Sequence, residues 1–275
     1  MDIHEKIVVL PHLGEFGWLI MTHIRYFNRL QAREKIAVCQ PGHECLFPSA
    51  TGFFTDWQNP IPDKSRCRDG KYGDGQVKSQ FYRSLKNLLA KSFPTSNIIE
   101  PQYDCHWHMS DGEGYKFKPI VECRLPIVDV VVSPRMRDFE PSRNWQHWPM
   151  IIDKIRSAGF PVGIAGQKAT TFPCGADAFA WDHPEGDTAG SLDMLLRSRL
   201  YVGTDSGVTH LAALCDVPTI IVKPPVDHNE RGPLQRANKS GFFKVVEAWD
   251  NPDRFIAEVL DSLHPPLPSG HNRVE

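Results

Sequence analysis

The chain has 275 residues, enough for two domains that each bury a core. With 41% hydrophobic and 23% charged residues its composition is that of a globular protein, not a disordered or fibrous one. A net charge of −2 argues against strong non-specific affinity for nucleic acid over the molecule as a whole. No apolar run approaches the roughly 20 residues that span a bilayer. The opening Met-Asp-Ile-His-Glu-Lys lacks the basic-then-apolar form of a signal peptide. Seven scattered cysteines suit reduced thiols better than a disulfide framework, so the expected compartment is the cytosol.

In chain order, Lys6 to Leu10 is a buried-strand pattern, followed by a glycine-containing loop. A helix is expected from about Trp18 to Leu30, with Leu19, Ile20, Ile24 and Phe27 at core spacing, and a second strand at Lys35 to Cys39. That strand–helix–strand order favours a parallel sheet. From Gly42 to Pro126 the pattern weakens, with one clear helix near Gln76 to Lys91. Regularity returns with a strand at Ile127 to Ser133, a helix from Trp148 to Ala158 stopped by Gly159, and a strand at Pro161 to Ala165. Leu192 to Arg197 reads as a helix, Thr219 to Val222 as a strand, and Pro252 to Leu263 as the last helix. The expected organisation is a first Rossmann-like domain over 1–125, a second over 126–264, and a loose tail over 265–275.

The most informative stretch is Leu200 to Leu214: a short strand, the polar turn Asp205-Ser206-Gly207, and the first turns of an apolar helix. The first amides of a helix lack intrahelical partners, and the helix dipole favours negative charge there. Strand, Ser-Gly turn and helix N-terminus together make a cradle for phosphate, with Ser206 adding a hydroxyl donor and His210 lying one turn in. The alternative is an ordinary Rossmann-like turn that only joins a strand to a helix.

This segment resembles the nucleotide-sugar motif of the lipopolysaccharide heptosyltransferase family, matched by Asp205, Ser206, Gly207, His210, Ala212, Ala213 and Pro218. The resemblance extends, more loosely, over roughly two thirds of the chain. It implies an α/β fold of two Rossmann-like domains facing a cleft, the GT-B arrangement. It also implies an inverting, metal-independent glycosyltransferase that moves a sugar from a nucleotide-diphosphate donor to a hydroxyl acceptor. No cofactor and no metal are expected.

The loop Pro11 to Trp18 matches the family's loop that carries Gly-Asp, whose Asp is thought to be the catalytic base; here Gly14-Glu15 stands in its place, one methylene longer. Glu15 is therefore the expected base, with a helix cap as the alternative role. His12 and Trp18 in the same loop are expected to meet the acceptor. Arg135 is the first candidate for the donor diphosphate and Arg143 the second, while Arg137 reads as a surface residue. Gln167 is expected beside the nucleobase, and Lys223 and Asp227 near the sugar. At 275 residues the chain is shorter than typical members, so the acceptor is not carried over from the family. A growing glycan or glycolipid, a protein, and modified phage DNA all stay open. The basic run Lys64, Arg66, Arg68, Lys71, Lys78, Arg83, Lys86 and Lys91 fits either a solvated helix and loop or an anionic acceptor.

Competing readings are a sugar-nucleotide epimerase or hydrolase of the same fold, and a non-catalytic nucleotide-sugar-binding protein. Cys105-His106-Trp107-His108 with Cys123 lacks the second paired ligand motif of a structural zinc site. There is no Asp-x-Asp of the metal-holding kind beside a strand end, no P-loop motif, and no G-x-G-x-x-G after a leading strand.

Overall fold

The computed structural model describes residues 4–14, 16–58, 60, 74–101, 124–136, 141–225, 235 and 238–264. The chain divides into two compact units, Met1–His106 and Trp107–Glu275. Sequence reading set the boundary at 125/126, just past the undescribed residues 102–123.

The first unit holds a four-stranded parallel sheet in the order β3-β2-β1-β4. Its strands are β1 (His4–Val9), β2 (Ala32–Val38), β3 (Gly52–Phe54) and β4 (Asn97–Ile99). Between β1 and β2 runs one helical stretch: α1 (Phe16–Trp18), a π-helical turn over Leu19–His23, and α2 (Ile24–Arg29). Helix α3 (Asp74–Ser92) then lays Leu85 and Leu89 on Val8, Leu10, Ile36 and Val38. The chain goes β1, β2, β3 in one direction and then returns to place β4 on the other side of β1. The order therefore reverses between β1 and β4.

The second unit holds a six-stranded parallel sheet in the order β10-β9-β8-β5-β6-β7. Its strands are β5 (Val130–Val132), β6 (Val162–Ile164), β7 (Ala178–Phe179), β8 (Leu200–Gly203), β9 (Thr219–Val222) and β10 (Phe243–Val246). Its helices are α4 (Trp148–Ser157), α5 (Asp187–Arg197), α6 (Gly207–Leu214) and α7 (Pro252–Leu263). Every residue of β5, β6, β8 and β9 is buried, as expected where helices cover both faces of a parallel sheet. Helix α4 buries Trp148, Ile151, Ile152 and Ile155, one face of a 3.6-residue period, and Gly159 ends it at φ 90°. Trp145 and Trp148 meet edge to face at 5.0 Å, and Trp145 meets Phe255 of α7 at 5.0 Å. In this sheet the order reverses between β5 and β8, and ligands of open α/β sheets sit at the carboxyl ends of strands at such a reversal.

Several elements differ from the sequence reading. The strand expected at Ile127 to Ser133 begins only at Val130, because Ile127 is 68% exposed. Helix α5 starts at Asp187, five residues before the expected Leu192, and runs through Gly190. A Cβ on Gly190 would lie 2.1 Å from the carbonyl oxygen of Ala180, so α5 packs there against backbone. Gly190→Ala is therefore expected to destabilise by about 2 kcal/mol, although alanine is the better helix former by about 1 kcal/mol. Urea denaturation measures this, and a variant as stable as wild type would refute the close approach.

Candidate functional site

The polar turn after β8 lies at the reversal between β5 and β8. Ser206 caps α6, its Oγ accepting from the backbone N–H of Thr209 at 3.3 Å. The amide of His210 bonds the carbonyl of Ser206 at 3.2 Å. The amides of Gly207 and Val208 stand ahead of that ladder, where helix geometry gives them no intrahelical acceptor. They are the groups an incoming anion would meet.

Asp205 precedes the cap and is buried, 8% exposed, and so is Arg143. Arg143 comes from a short 3-10 turn, Pro141–Arg143, ahead of α4, and its Nη2 donates to Asp205 Oδ2 at 2.7 Å. Charge pairing is what lets both groups stay out of water. His210 Nε2 lies 4.0 Å from Asp205 Oδ1. Its Nδ1 is buried and has no hydrogen-bond partner among the described residues. Burial pushes the His210 imidazole down to about 4; the Asp205 carboxylate pulls it up, and Arg135 adds a further push down. The ring is therefore neutral at pH 7.

Arg135 follows β5, half-buried, with its backbone bridged to Thr171. Its charge is felt at both His210 and Tyr201. Thr171 Oγ1 in turn donates to the carbonyl of Gln167 at 2.6 Å, while the Gln167 side chain is exposed. Gly166, at φ 114°, has its amide bonded to Ser191 Oγ at 3.2 Å. Lys223 follows β9 and donates to Glu247 at 2.6 Å.

Beneath the turn, Ser206 belongs to a group of hydroxyls whose other members, Tyr201 and Thr209, sequence reading missed. Tyr201 is fully buried on β8, and its hydroxyl stands 2.9 Å from Thr209 Oγ1. Ser206 Oγ stands 3.1 Å from the same Thr209 oxygen, which also bonds the Thr204 carbonyl. A Cβ on Gly203 would lie 2.3 Å from the Tyr201 hydroxyl, so a larger residue at 203 would displace the phenol. A tyrosine in an otherwise aliphatic strand, two residues before a glycine, was the available signal.

In the first unit, the loop after β1 lies at the reversal between β1 and β4. The Leu10 amide bonds the Ile99 carbonyl at 2.9 Å, and the Tyr82 hydroxyl donates to the Pro11 carbonyl at 2.8 Å. His12 is half-buried, its ring 6.1 Å from that of His23, and His23 meets Phe47 edge-on at 5.8 Å. Burial pulls the His23 imidazole well below its usual value, and neighbouring His12 adds to this. A Cβ on Gly14 would come within 2.7 Å of His12 Nε2. Glu15, Arg137, Asp227 and the side chain of Trp18 lie outside the described residues, as do Cys105 to His108, Cys123 and the basic run from Lys64 to Lys71. The remaining bases of that run, Lys78, Arg83, Lys86 and Lys91, lie on α3, and Lys86 pairs with Glu100 at 2.8 Å. Among the described residues no cluster of three His, Cys, Asp or Glu fits a metal ion.

No family model matches the sequence, and no curated protein matches it. Solved structures do. Over 94% of the chain and 98% of its own length, E. coli ADP-heptose lipopolysaccharide heptosyltransferase II superposes with a TM-score of 0.53 at 14% identity. The glycosyl transferase family 9 protein from Veillonella parvula DSM 2008 superposes over 95% of the chain and 90% of its own length, TM-score 0.54, 12% identity. The fold is that of the GT-B heptosyltransferases. The iron-containing dodecameric glycosyltransferase TibC from enterotoxigenic E. coli also matches, at TM-score 0.47 and 13% identity. The match covers 81% of this chain, which spans only 59% of that one. In this heptosyltransferase fold the Asp205-to-His210 turn and the loop after β1 each occupy a reversal point of a parallel sheet.

A buried neutral imidazole has a consequence for stability. Below pH 6.5 the unfolded chain takes up a proton at His210 that the folded chain refuses until about pH 4. The unfolded state binds more protons in that window, so stability falls as pH falls, by about 3 kcal/mol at pH 4 from this group. His23 acts in the same direction. His210→Gln is expected to flatten the loss between pH 6.5 and 4 in urea denaturation; an unchanged slope would show that the ring is not held neutral.

Proposed function

We propose that the chain is an inverting glycosyltransferase that takes a sugar from a nucleotide-diphosphate donor and passes it to a hydroxyl acceptor without a metal. The observation that carries this is the buried Nδ1 of His210, without a hydrogen-bond partner among the described residues, on the first turn of a helix whose leading amides have no intrahelical acceptor. A neutral imidazole with its hydrogen on Nδ1 donates to a phosphate oxygen, and the amides of Gly207 and Val208 and the Ser206 hydroxyl supply further donors. The fold shared with the heptosyltransferases supports the same reading.

In this reading the Glu15 carboxylate removes the proton of the acceptor hydroxyl as its oxygen bonds to C1 of the sugar. The C1–O bond to the diphosphate breaks on the opposite face, so configuration at C1 inverts. Negative charge collects on the departing diphosphate, where the α6 N-terminus and Arg135 meet it. Arg143 acts one step back, holding Asp205. Gln167 is placed by this reading beside the base or ribose, and His12 and Trp18 beside the acceptor. Of the described cysteines, Cys39 and Cys174 are free thiols, which fits work in the cytosol. No helix among the described residues is long and apolar enough to cross a membrane.

The test is thermal stabilisation of the protein by a panel of nucleoside diphosphates and nucleotide sugars, with and without EDTA. ADP-heptose, the donor in the name of E. coli heptosyltransferase II, heads the panel. One member of the panel is expected to stabilise by about 2.7 kcal/mol at a hundredfold excess over its Kd, unchanged by EDTA. No shift with any member would sink the reading. With that donor in hand, Glu15→Gln is expected to lower kcat by about a hundredfold or more while the donor Kd stays within about twofold. Retained turnover with lowered thermal stability would instead make Glu15 a helix cap.

A further inference from the structure

Charge is unevenly placed along this chain. Residues 64–91 hold eight bases against two acids, while the other 247 residues hold 23 bases against 31 acids. Helix α3 carries four of the eight bases, Lys78, Arg83, Lys86 and Lys91, and from Gly75 to Ile99 there is no carboxylate. Lys64, Arg66, Arg68 and Lys71 precede it in the chain, outside the described residues. Packing decides which face α3 turns to solvent. Leu85 and Leu89 are buried on Val8, Leu10, Ile36 and Val38, with Phe81 and Tyr82 packed beside them. At about 3.6 residues per turn, the opposite face is Gln80, Arg83, Ser84, Asn87 and Lys91, and all five are exposed. Lys86 lies to the side and pairs with Glu100 at 2.8 Å. Arg83 and Lys91 have no carboxylate within ion-pair reach among the described residues. They stand about 12 Å apart along the helix axis, roughly the rise of three to four base steps in a duplex.

A guanidinium, an ammonium, two amides and a hydroxyl on one acid-free face are the groups that meet phosphate and sugar oxygens. A lipid surface asks for something else, a helix that inserts an apolar face between headgroups. The apolar face of α3 is already spent on the sheet, and Leu88 is the one large apolar side chain it leaves exposed among the described residues. We propose that the outer face of α3 is a docking surface for the sugar–phosphate backbone of nucleic acid, bound without regard to base sequence. The acidic surplus elsewhere in the chain does not forbid this, because exposed charges more than about 10 Å away are largely screened at 0.1 M salt. The proposal does not rest on the transferase reading and stands or falls apart from it.

The probe is a fluorescein-labelled duplex DNA of random sequence, about 20 base pairs long, and its binding to the full chain is followed by anisotropy between about 50 and 200 mM salt. The logarithm of the binding constant is expected to fall with the logarithm of salt at a slope of about −2 or steeper, close to one unit each from Arg83 and Lys91. Arg83→Ala combined with Lys91→Ala is expected to flatten the slope by about two units and to weaken binding at the lowest salt by about tenfold or more. Lys154→Ala, at an exposed base on α4, is expected to change neither. Both sets of substitutions are at exposed positions that fill no core, so folding is not at issue. A wild-type chain that leaves the duplex free at the lowest salt overturns the proposal, and so does a double variant that keeps the wild-type slope. Vesicles of phosphatidylglycerol and phosphatidylcholine are the second probe, and sedimentation is expected to leave the chain in the supernatant. Vesicle binding that the double variant loses, without binding of the duplex, would make this face a membrane surface and overturn the proposal. None of these failures touches the cradle at α6, which the nucleotide panel tests separately.

Discussion

The arrangement at the second sheet depends on one buried ion pair. A carboxylate placed just ahead of a helix N-terminus is itself an anion in the anion's place, and an unpaired Asp205 would occupy the positive end of α6 in charge if not in space. Arg143 removes that conflict. Its guanidinium lies on Oδ2 at 2.7 Å, with the Asp205 carbonyl also in range at 3.5 Å, so the pair is near neutral and the turn is held from behind. The cost of desolvating both charges is offset only while they stay together. The turn therefore has one geometry, and α6 keeps its N-terminal potential for an incoming group.

Burial explains why His210 is neutral. Near a bare carboxylate in water, an imidazole would hold its proton. Here the loss of solvent outweighs the pull of Asp205, and Arg135 adds a smaller push in the same direction as burial, so the ring loses its proton well below pH 7. A neutral ring is an electrically modest partner. In the proposed transferase it would orient a phosphate by one hydrogen bond without the strong attraction an imidazolium would exert on donor and released nucleotide alike, a useful property at a site that must let its product go.

How much of this the sequence carried depends on range. The Asp205–Pro218 segment was legible because its parts are local: strand, cap, glycine, helix and proline fall within eighteen positions of Tyr201 and obey short-range rules. The parallel α/β fold, the stop at Gly159 and most long helices were legible for the same reason. The strands β3, β4, β7 and β10 were not. They have two to four residues, and none is buried throughout, so neither a continuous apolar run nor a clean alternation marks them. The early start of α5 was masked by Gly190, a poor helix former kept because Ala180 backbone lies against it. Arg143 is the second candidate for the diphosphate, after Arg135, and its 62-residue reach back to Asp205 is a tertiary fact that no window reveals. Glu15 was the expected base, and the described residues establish only the glycine and the strand end that lead to it.

The turn and the helices that support it therefore differ in how much change they can absorb. In Gly203-Thr204-Asp205-Ser206-Gly207 each residue has a separate task. Gly203 makes room for the Tyr201 phenol, Thr204 offers its carbonyl to Thr209, Asp205 anchors Arg143, Ser206 caps the helix, and Gly207 begins it. None of these tasks passes to a neighbour, because each depends on one atom in one place. The faces of α4 and α7 are different in kind: Trp148, Ile151, Ile155, Phe255 and Val259 fill volume, and cores accept exchanges that conserve volume at a cost below about 1.5 kcal/mol. Exchange therefore costs least on the packing faces and most in the five-residue turn, and a fold held mainly by volumes can be shared by two proteins at 14% identity over nearly their whole lengths.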